Sequence, residues 1–355
     1  MNRTPPHPRL RIAIIGAGIA GLASARTLAQ AGHDVTLVEE GQQVGGRMAT
    51  LDSPFGGFDA GVQYFTVRDA RFSHALQATA ADVVRRWSAN AVRVLDAMGR
   101  VIEVAPPAPE SHWVATPAMD RLAQRWGEPL AATGALRLDT RVTRVARDTV
   151  SPTRWQLHTQ GNGGKHTVHA GFDVVLLAIP ASRARELLQD SEHCSVLAEP
   201  LATVEVAPCW TLMLAYPNAA QPGLHTLGPQ WNAARSTHHR VSWLARESSK
   251  PGRTPIERWT VQASPTWSRE HERDDDARIS AKLHKAFAEI TGIRATPAHA
   301  EVRLWRQART VTPLGRSHLW DSALGVGLCG DWCLGSRVED AFISGLELAL
   351  TVAGR

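Results

Sequence analysis

Lysine, tyrosine and cysteine are scarce in this sequence of 355 residues, and long apolar runs are missing. Its 39 basic residues include only 4 lysines, and 2 tyrosines stand against 12 tryptophans. The 4 cysteines form no CxxC pair, which argues against a disulfide-stapled scaffold or a metal site and predicts free thiols in a reducing compartment. The longest apolar run covers only residues 174–181, whereas a membrane-spanning helix needs about 20 residues. We therefore expect a soluble, cytoplasmic protein that does not enter membranes.

The arginine excess gives a net charge of +5, which suits an anionic partner. The arginines are scattered among apolar residues, however, and no nucleic-acid-binding motif accompanies them. We therefore expect no nucleic acid partner. Arg3, Arg9 and Arg11 precede an apolar stretch, residues 12–29, in the manner of an export signal. Three glycines within that stretch favour another explanation.

These glycines, Gly16, Gly18 and Gly21, follow a predicted strand (10–15) and open a predicted helix (22–31). Their spacing is typical of a dinucleotide-binding turn. Gly16 permits the tight turn, Gly18 lets the backbone approach a pyrophosphate, and Gly21 lets the helix pack closely on the strand. The helix N-terminus adds N–H groups and partial positive charge, so this unit predicts nucleotide binding.

Two features further along the chain support this prediction. The second predicted strand (35–38) ends at Glu39, 18 residues after Gly21, where an acidic side chain accepts hydrogen bonds from a ribose diol. A second glycine turn, Gly45-Gly46-Arg47-Met48, then favours FAD over NAD. Its glycines clear space for a diphosphate, and a guanidinium neutralises phosphate charge with forked donors.

The C-terminal region predicts a return to the nucleotide-binding domain. A predicted strand (324–328) delivers Gly330 and Asp331 ahead of a predicted helix (338–353). A helix N-terminus beside such a turn is suited to anions, and Asp331 is placed to hold the ribityl or phosphate-proximal part of a flavin.

The middle of the chain predicts a mixed architecture of two domains, α/β plus α+β. A helix (119–126), a strand (136–145), a hairpin centred on 161–164 and a buried strand (172–179) come first, after a proline-rich loop at 106–109. The stretch from about 196 to 307 then predicts an antiparallel layer inserted into a Rossmann-type domain, with strands 210–216, 240–245 and 258–263 and a helix 274–290. We predict that residues 1–68, 117–190 and 310–355 form the nucleotide-binding domain and that residues 69–116 and 191–309 form the substrate domain.

Taken together, the motifs resemble those of the flavin amine oxidase superfamily, and within it the renalase branch and its bacterial relatives. The resemblance spans nearly the whole chain and rests on these segments: Gly16-x-Gly18-x-x-Gly21, Glu39, Gly45-Gly46-Arg47, Asp59-Ala60-Gly61-Val62-Gln63-Tyr64-Phe65, Ala178-Ile179-Pro180, Ser249-Lys250-Pro251-Gly252-Arg253, Ala263 to Ser268, Trp305-Arg306, Cys329-Gly330-Asp331-Trp332 and Val338-Glu339-x-Ala341-x-x-Ser344-Gly345. Three positions depart from the family pattern and bear on substrate choice: Val62, Pro117-Ala118 and Gln307.

The resemblance implies non-covalently bound FAD and an architecture like that of p-hydroxybenzoate hydroxylase. It also implies an oxidase that converts 2- or 6-dihydro isomers of NAD(P) to NAD(P)+ and passes the electrons to oxygen, giving hydrogen peroxide. Such a substrate becomes aromatic when it loses hydride, so the protein needs no strong base. Two alternatives stay open: a related flavin oxidoreductase acting on an amine or an apolar polycycle, and an idle flavin-binding module.

The resemblance also assigns site residues. It implies that Gln63 and Tyr64 face the flavin and that Trp305 forms a wall of the substrate site, although packing in the core is the alternative for both aromatics. Further cofactor contacts are implied for Ile19, Ala20, Glu40, Met48, Val142, Val338, Glu339 and Ala341. Lys250, Arg253 and Arg306 are candidates for the pyrophosphate of a dinucleotide substrate, with structural ion pairing as the alternative. The second tyrosine, Tyr216, is expected to be structural.

Overall fold

The computed structural model describes residues 9–87, 92–104, 110–191, 194–220, 229 and 231–354. The predictions for Arg3 and for the loop 106–109 lie outside these residues. The strands are β1 (Arg11–Ile15), β2 (Asp34–Val38), β3 (Thr50–Leu51), β4 (Phe58–Asp59), β5 (Val84–Arg86), β6 (Arg93–Leu95), β7 (Val101–Val104), β8 (Trp113–Ala115), β9 (Leu136–Arg137), β10 (Thr140–Arg147), β11 (Trp155–Gly161), β12 (His166–Phe172), β13 (Val174–Leu177), β14 (Glu205–Tyr216), β15 (Ala233–Ser236), β16 (Val241–Arg246), β17 (Glu257–Ala263), β18 (His299–Thr312), β19 (Leu319–Asp321) and β20 (Val326–Leu328).

Helices pack against the sheets and connect many of the strands. They are α1 (Ile19–Gln30), α2 (Ala70–Ala80), α3 (Arg121–Ala132), α4 (Ala181–Gln189), α5 (Ser195–Ala198), α6 (Pro265–Glu270), α7 (Asp276–Thr291) and α8 (Val338–Ala353). No helix among the described residues combines the length and the apolar character that crossing a bilayer requires.

A six-stranded sheet carries the predicted nucleotide-binding unit, in the order β19-β20-β13-β1-β2-β9. Its central strands run parallel, with Ile14 of β1 opposite Leu37 of β2 and Leu176 of β13, and only the edge strand β19 is antiparallel. Strands β1 and β13 are almost wholly buried because both faces of the sheet are covered, which explains their continuous apolar sequences.

Alternation along the strands divides the core between the two faces. Ile12 and Ile14 pack on one side, with helices α1, α2, α3 and α8. Ala13 and Ile15 point to the other side, which the antiparallel sheet β10-β11-β12 and helices α4 and α5 cover. The interior of a doubly covered sheet thus accounts for most of the buried aliphatic residues in this half of the fold.

A seven-stranded sheet forms the second layer, in the order β18-β14-β17-β16-β15-β6-β7. Helix α7 packs on it through Ile279, Leu283 and Phe287, and the predicted structural residue Tyr216 stacks on Phe287 with ring centroids 6.2 Å apart. The fold predicted from sequence is therefore confirmed: a Rossmann-type layer combined with a largely antiparallel sheet. Strand β18 pairs with β14 over most of its length, and the sequence analysis did not predict this strand.

Several boundaries differ from the sequence-based prediction. Helix α1 begins at Ile19 because the backbone of Gly18 acts as its N-cap, which side-chain patterns do not reveal. The strand predicted over 136–145 is interrupted at Asp139, whose φ is 51°, so β9 and β10 join different sheets. Helix α3 continues through Pro129 to Ala132, past the predicted end at Trp126.

Residues 69–116 divide their packing between the two layers. Phe72, Leu76 and Ala80 of α2 belong to the core beside the six-stranded sheet, whereas β6 and β7 extend the seven-stranded sheet. Helix α2 thus departs from the predicted division, and so do strands β5 and β8, whose Val84 and Val114 belong to the same core; the domain boundaries stay a prediction. All four cysteines, Cys194, Cys209, Cys329 and Cys333, are free thiols, as predicted.

Contact between helices α1 and α8 depends on a glycine. A Cβ atom at Gly345 would overlap the carbonyl oxygen of Ala20 and lie 3.0 Å from its Cα. We expect Gly345→Ala to lower the free energy of unfolding by at least about 2 kcal/mol, because neither helix backbone has room to retreat. Urea unfolding with saturating FAD measures the change. Gly354→Ala at the end of α8 is the matched control, since its φ is −83° and its nearest contact would be 3.4 Å. Equal stability of both variants would contradict this packing.

Candidate functional site

The three glycines of the first turn have different surroundings. Gly16 has a φ of 99°, and a Cβ there would lie 2.6 Å from the carbonyl oxygen of Ala178. A Cβ at Gly21 would overlap the carbonyl oxygen of Gly16. A Cβ at Gly18, by contrast, would meet no atom of the described residues within 4 Å. Gly16 and Gly21 are therefore required by the fold, whereas Gly18 leaves open space directly before helix α1.

Donors of the first helical turn face this open space. The N–H of Leu22 is bonded to the carbonyl of Gly18 at 2.9 Å, so the N–H groups of Ile19, Ala20 and Gly21 precede the first intrahelical bond. No side chain caps this end of the helix. The side chains of Ile19 and Ala20 are buried, so the main chain is what these residues present to a ligand.

The second glycine turn lies against the first. The N–H of Gly45 donates to the carbonyl of Ala17 at 2.9 Å, and a Cβ at Gly46 would lie 3.7 Å from the Cα of Gly18. Gly45 and Gly46 both have positive φ, 120° and 55°. Met48, which closes the turn, is buried in the core. The tertiary structure thus brings the two predicted diphosphate-binding turns together, and a side chain at Gly46 would narrow the space between them, whereas one at Gly45 would meet Ala123.

Glu39 lies at the end of β2 beside these turns. Its carboxylate accepts hydrogen bonds from the N–H groups of Ala17 at 2.7 Å and Gly41 at 2.9 Å. Burial raises the pKa of the Glu39 carboxyl, and the two hydrogen bonds act in the opposite direction. Glu40 is more exposed, with Arg141 3.9 Å away. Val142, the other implied contact on this side, is buried in the core beneath the sheet.

Arg47 joins the second glycine turn to the C-terminal turn. Its guanidinium forms a forked pair with the carboxylate of Asp331, with one N···O distance of 2.9 Å, and donates to the carbonyl of Ala308 at 3.3 Å. Thr310 adds a hydrogen bond to the same carboxylate at 3.3 Å. The two charged residues predicted to bind the cofactor are therefore adjacent, and together they connect the 45–48 turn, strand β18 and the 330–331 turn.

Helix α8 contributes its first turn to the same region. Glu339 is buried, and its Oε1 atom accepts hydrogen bonds at 2.7 Å from the N–H groups of both Arg68 and Asp69. Gly330 donates its N–H to the Ser344 hydroxyl at 2.9 Å. Val338 is buried and Ala341 partly buried. Glu339 thus ties the helix to the segment that follows Tyr64, a structural role that the sequence did not indicate.

The Gln63–Tyr64 segment has aromatic neighbours on two sides. The indole N–H of Trp305 donates to the carbonyl of Ala60 at 2.9 Å. The ring of Tyr64 lies against His112, with centroids 4.1 Å apart, and against Trp243, at 5.5 Å. A backbone bridge between the next residue in each segment, Phe65 and Trp113, holds Tyr64 beside His112. We call Tyr64, His112 and Trp243 the aromatic wall.

His112 and Trp243 were not predicted from the sequence, because nothing in their local patterns distinguishes them from core residues. Burial lowers the pKa of His112, and the charge of Arg235 adds to this effect. The imidazole is therefore neutral at pH 7. The indole Nε1 of Trp243 is buried without a hydrogen-bond partner among the described residues.

A cluster of buried charges lies beneath this segment. The ammonium of Lys250 contacts Asp59 and Glu247, both at 2.9 Å, and Arg253 contacts Asp59 at 2.7 Å. Burial opposes ionisation of Asp59, but the charges of Lys250 and Arg253 outweigh it and lower its pKa to about 2. Burial raises the pKa of Glu247, against the influence of Lys250.

The interpretation of Lys250 and Arg253 as pyrophosphate ligands is corrected by these contacts. Their side chains are 0% and 2% exposed, closed within the ion cluster, so both follow the alternative, structural ion pairing. Arg306 pairs with Glu272 at 2.6 Å but is exposed, and its contact with a substrate stays a prediction. The i, i+3 spacing of Glu247 and Lys250 was the available signal, but only the fold brings Asp59 to them.

Family comparisons agree with this architecture. Residues 14–79 match the NAD(P)-binding Rossmann-like domain, and residues 107–353 match the flavin containing amine oxidoreductase family. Among curated proteins, hydroxyneurosporene desaturase of Cereibacter sphaeroides is 49% identical over 59 residues, which are 17% of this chain and 12% of that protein. The 4,4'-diapophytoene desaturase of Staphylococcus haemolyticus is 45% identical over 60 residues, again 17% and 12%. The matched segment thus spans about an eighth of these relatives.

Solved structures share the whole fold at low sequence identity. Cyclohexylamine oxidase from Brevibacterium oxydans has a TM-score of 0.70 and 14% identity, covering 98% of this chain and 99% of that one. A protein of Exiguobacterium sp. 255-15, provisionally described as a protoporphyrinogen oxidase, has a TM-score of 0.75 with the same identity and coverage. The family match covers more than half of the chain and agrees with the predicted FAD cofactor, so this chain belongs to the flavin containing amine oxidoreductase family.

Proposed function

We propose that this protein oxidises 2- or 6-dihydro isomers of NAD(P) to NAD(P)+. The observation that carries the proposal is the aromatic wall, in which the ring of Tyr64, directly after Gln63, lies against His112 and Trp243 in tilted contacts, with ring centroids 4.1 and 5.5 Å apart. With Trp305 against the same segment, these flat side chains suit a planar ring held for hydride transfer. Bound FAD would supply the hydride acceptor, and the electron pair, with the hydride's proton and a second proton from water, would reduce oxygen to hydrogen peroxide.

The ionisable groups near the wall support a substrate that needs no base. A dihydropyridine loses hydride and becomes aromatic, and no proton leaves a substrate carbon. Lys250 donates its three N–H bonds within the buried cluster, so it is not free to exchange protons with a substrate. His112 is neutral at pH 7 and lies against the Tyr64 ring. The chain therefore acts on such a substrate by positioning it and by excluding water.

For the cofactor, we propose that the adenosine ribose binds at Glu39 and that the diphosphate occupies the space between Gly18 and Gly46. The open position at Gly18 and the N–H groups that begin helix α1 fit an anion there. Arg47, held by Asp331, then borders the diphosphate from the second turn. Glu39 must exchange one of its present backbone partners, or share it, when a ribose diol donates to it.

A second candidate is oxidation of an amine or an apolar polycycle. It is favoured by the family match and by the similarity in fold to cyclohexylamine oxidase. Because identity to that structure is 14%, the likeness concerns the fold and leaves the substrate open. The two candidates differ in which reductant transfers electrons to the flavin.

Anaerobic stopped-flow mixing separates them. We expect the 2- or 6-dihydro isomers of NAD or NADP to bleach the visible flavin absorbance within seconds, and ordinary 4-dihydro NAD(P)H to act much more slowly. Admission of oxygen should restore the colour and release hydrogen peroxide. Bleaching by simple amines, with no response to either isomer, would replace the proposal by the second candidate. No bleaching by any of these reductants would reject the proposal and leave an apolar polycyclic substrate or an idle flavin-binding module as the alternatives.

The cofactor site is tested by Gly18→Val. The fold tolerates a side chain here, since no atom in the described part of the chain lies within 4 Å of the added Cβ, but the side chain occupies the space assigned to the diphosphate. We expect a folded protein whose FAD affinity falls roughly 100-fold or more, about 2.8 kcal/mol. The ratio of flavin to protein absorbance and far-UV circular dichroism measure the two properties.

Gly161→Val is the matched control for this variant. Gly161 has a φ of −89° and its nearest contact would be 3.7 Å, but it lies in β11, away from the glycine turns. It should keep the FAD content of the parent protein. Retention of yellow colour by Gly18→Val would refute the assignment of the diphosphate to this turn.

A further inference from the structure

Lys250 is buried at the junction between the two layers. Its side chain is 0% exposed, and its ammonium has three acceptors: Asp59 Oδ2 and Glu247 Oε1 at 2.9 Å, and Gln63 Oε1 at 3.2 Å. An ammonium has three N–H donors, so all of them are used. The indole ring of Trp87 lies 5.6 Å from Nζ and helps to exclude water. The contacts with Asp59 and Glu247 balance the charge of the ammonium, and the Trp87 ring shields it from water. The contact with Gln63 does neither.

The contact with Gln63 sets the direction of its carboxamide. An ammonium only donates, so the oxygen of Gln63 must face Lys250 and its NH2 group must face away. The NH2 group then donates to the carbonyls of Asp59 and Gly61, the latter at 3.2 Å. Gln63 is 5% exposed, and its polar atoms are engaged inside the protein. This placement gives it no free donor with which to contact a flavin.

The carbonyls that Gln63 holds belong to the segment immediately before Tyr64, residues 59–63. Gly61 also accepts a bond from Gln262 at 2.7 Å, and Ala60 accepts one from Trp305. The N–H of Val62 donates to the carbonyl of Arg47 at 2.9 Å, and a Cβ at Gly61 would overlap that carbonyl. A shift of this segment would therefore move Tyr64, Trp305 and the second glycine turn together.

We propose that Lys250 is a positioning residue of the flavin site that acts through Gln63. Its buried ammonium orients the Gln63 carboxamide, the carboxamide holds the carbonyls of the 59–63 segment, and the segment places Tyr64 and Arg47 relative to the cofactor. Gln63 is then a positioning residue as well. The proposal rests on the part of the proposed function that places these segments beside FAD, and it is independent of which substrate is oxidised.

Energetics agree with a role beyond stability. Two buried cations, Lys250 and Arg253, face two buried carboxylates, Asp59 and Glu247, and removing such charges from water costs about as much as their pairing returns. One oxygen of Glu247 and the Nε of Arg253 also have no hydrogen-bond partner among the described residues. A close-packed apolar group would serve stability equally well. An ammonium, however, also selects one orientation of an amide.

The experiment is a double-mutant cycle on FAD affinity, measured by quenching of flavin fluorescence in the full-length protein. Lys250→Met and Gln63→Met each remove one partner and keep most of the volume. We expect each to weaken FAD binding about tenfold and to change the visible circular dichroism of the bound flavin. The double variant should bind no more than about threefold more weakly than either single variant, because both changes break the same connection.

Lys250→Met leaves Glu247 without its ion-pair partner, so its stability is controlled with Lys250→Met/Glu247→Gln, which removes the unpaired charge and leaves Asp59 paired with Arg253. If Lys250→Met does not fold, this charge-balanced protein replaces it throughout the cycle. We expect the charge-balanced protein to regain the thermal stability of the parent but to keep the altered flavin dichroism and the weakened FAD binding. If the charge-balanced protein has the FAD affinity and the flavin dichroism of the parent, the proposal is overturned. Additive effects of the Lys250 and Gln63 changes would overturn it as well.

These readouts require no substrate. Weakened FAD binding in the cycle, together with no reduction by dihydronicotinamide isomers, would leave the positioning role standing and reject the proposed substrate. Reduction by those isomers, together with additive effects of the Lys250 and Gln63 changes on FAD affinity, would support the proposed substrate and reject the positioning role.

Discussion

The negative charge of Asp59, buried between the two layers of the fold, is the constraint on which the site depends. Its carboxylate contacts Lys250 and Arg253, in the segment after β16, at 2.9 and 2.7 Å, and accepts hydrogen bonds from Thr50 of β3 and from the N–H of Met119, just before α3, at 2.8 and 3.1 Å. A carboxylate with no access to water persists only with such a complete set of donors. Because the donors come from distant parts of the chain, satisfying Asp59 aligns the layers, and the segment that leads to Tyr64 starts from this anchored residue.

Close backbone approach is the second constraint. Gly16 and Gly21 let β1 and α1 meet, Gly345 lets α8 lie on α1, and Gly46 lets the second turn lie on Gly18. At Gly16, Gly21 and Gly345 a Cβ atom would collide with a backbone carbonyl, and at Gly46 it would lie against Gly18. Arg47 and Asp331 then join the second turn to the C-terminal turn through a forked pair, so the N-terminal and C-terminal motifs meet at the proposed nucleotide site. The close backbone contacts that these glycines permit, rather than a concentration of positive charge, determine where the proposed site forms.

The scarcity of lysine has a different meaning after the fold is considered. One of the 4 lysines, Lys250, is wholly buried in the ion cluster, and the arginines that were candidates for substrate phosphate are engaged in ion pairs. Positive charge near the site therefore serves mainly to neutralise the protein's own carboxylates. The aromatic wall, with Trp243 and His112 around Tyr64, is the part of the site on which the proposed substrate depends.

The sequence by itself determined the nucleotide-binding unit, because the strand, the glycine spacing, the helix and Glu39 are local features whose periodicity and turn chemistry are read within some thirty residues. It also determined the buried character of β13 and the start and end of α8, since apolar runs and helical periodicity follow directly from burial. Only the tertiary structure decided that Lys250 and Arg253 face Asp59, that Gln63 turns inward, and that His112 and Trp243 stand beside Tyr64. Those contacts join residues that are far apart in the chain. The role of each side chain depends on the partner that neutralises its charge or packs on its ring, and a local sequence pattern does not identify that partner.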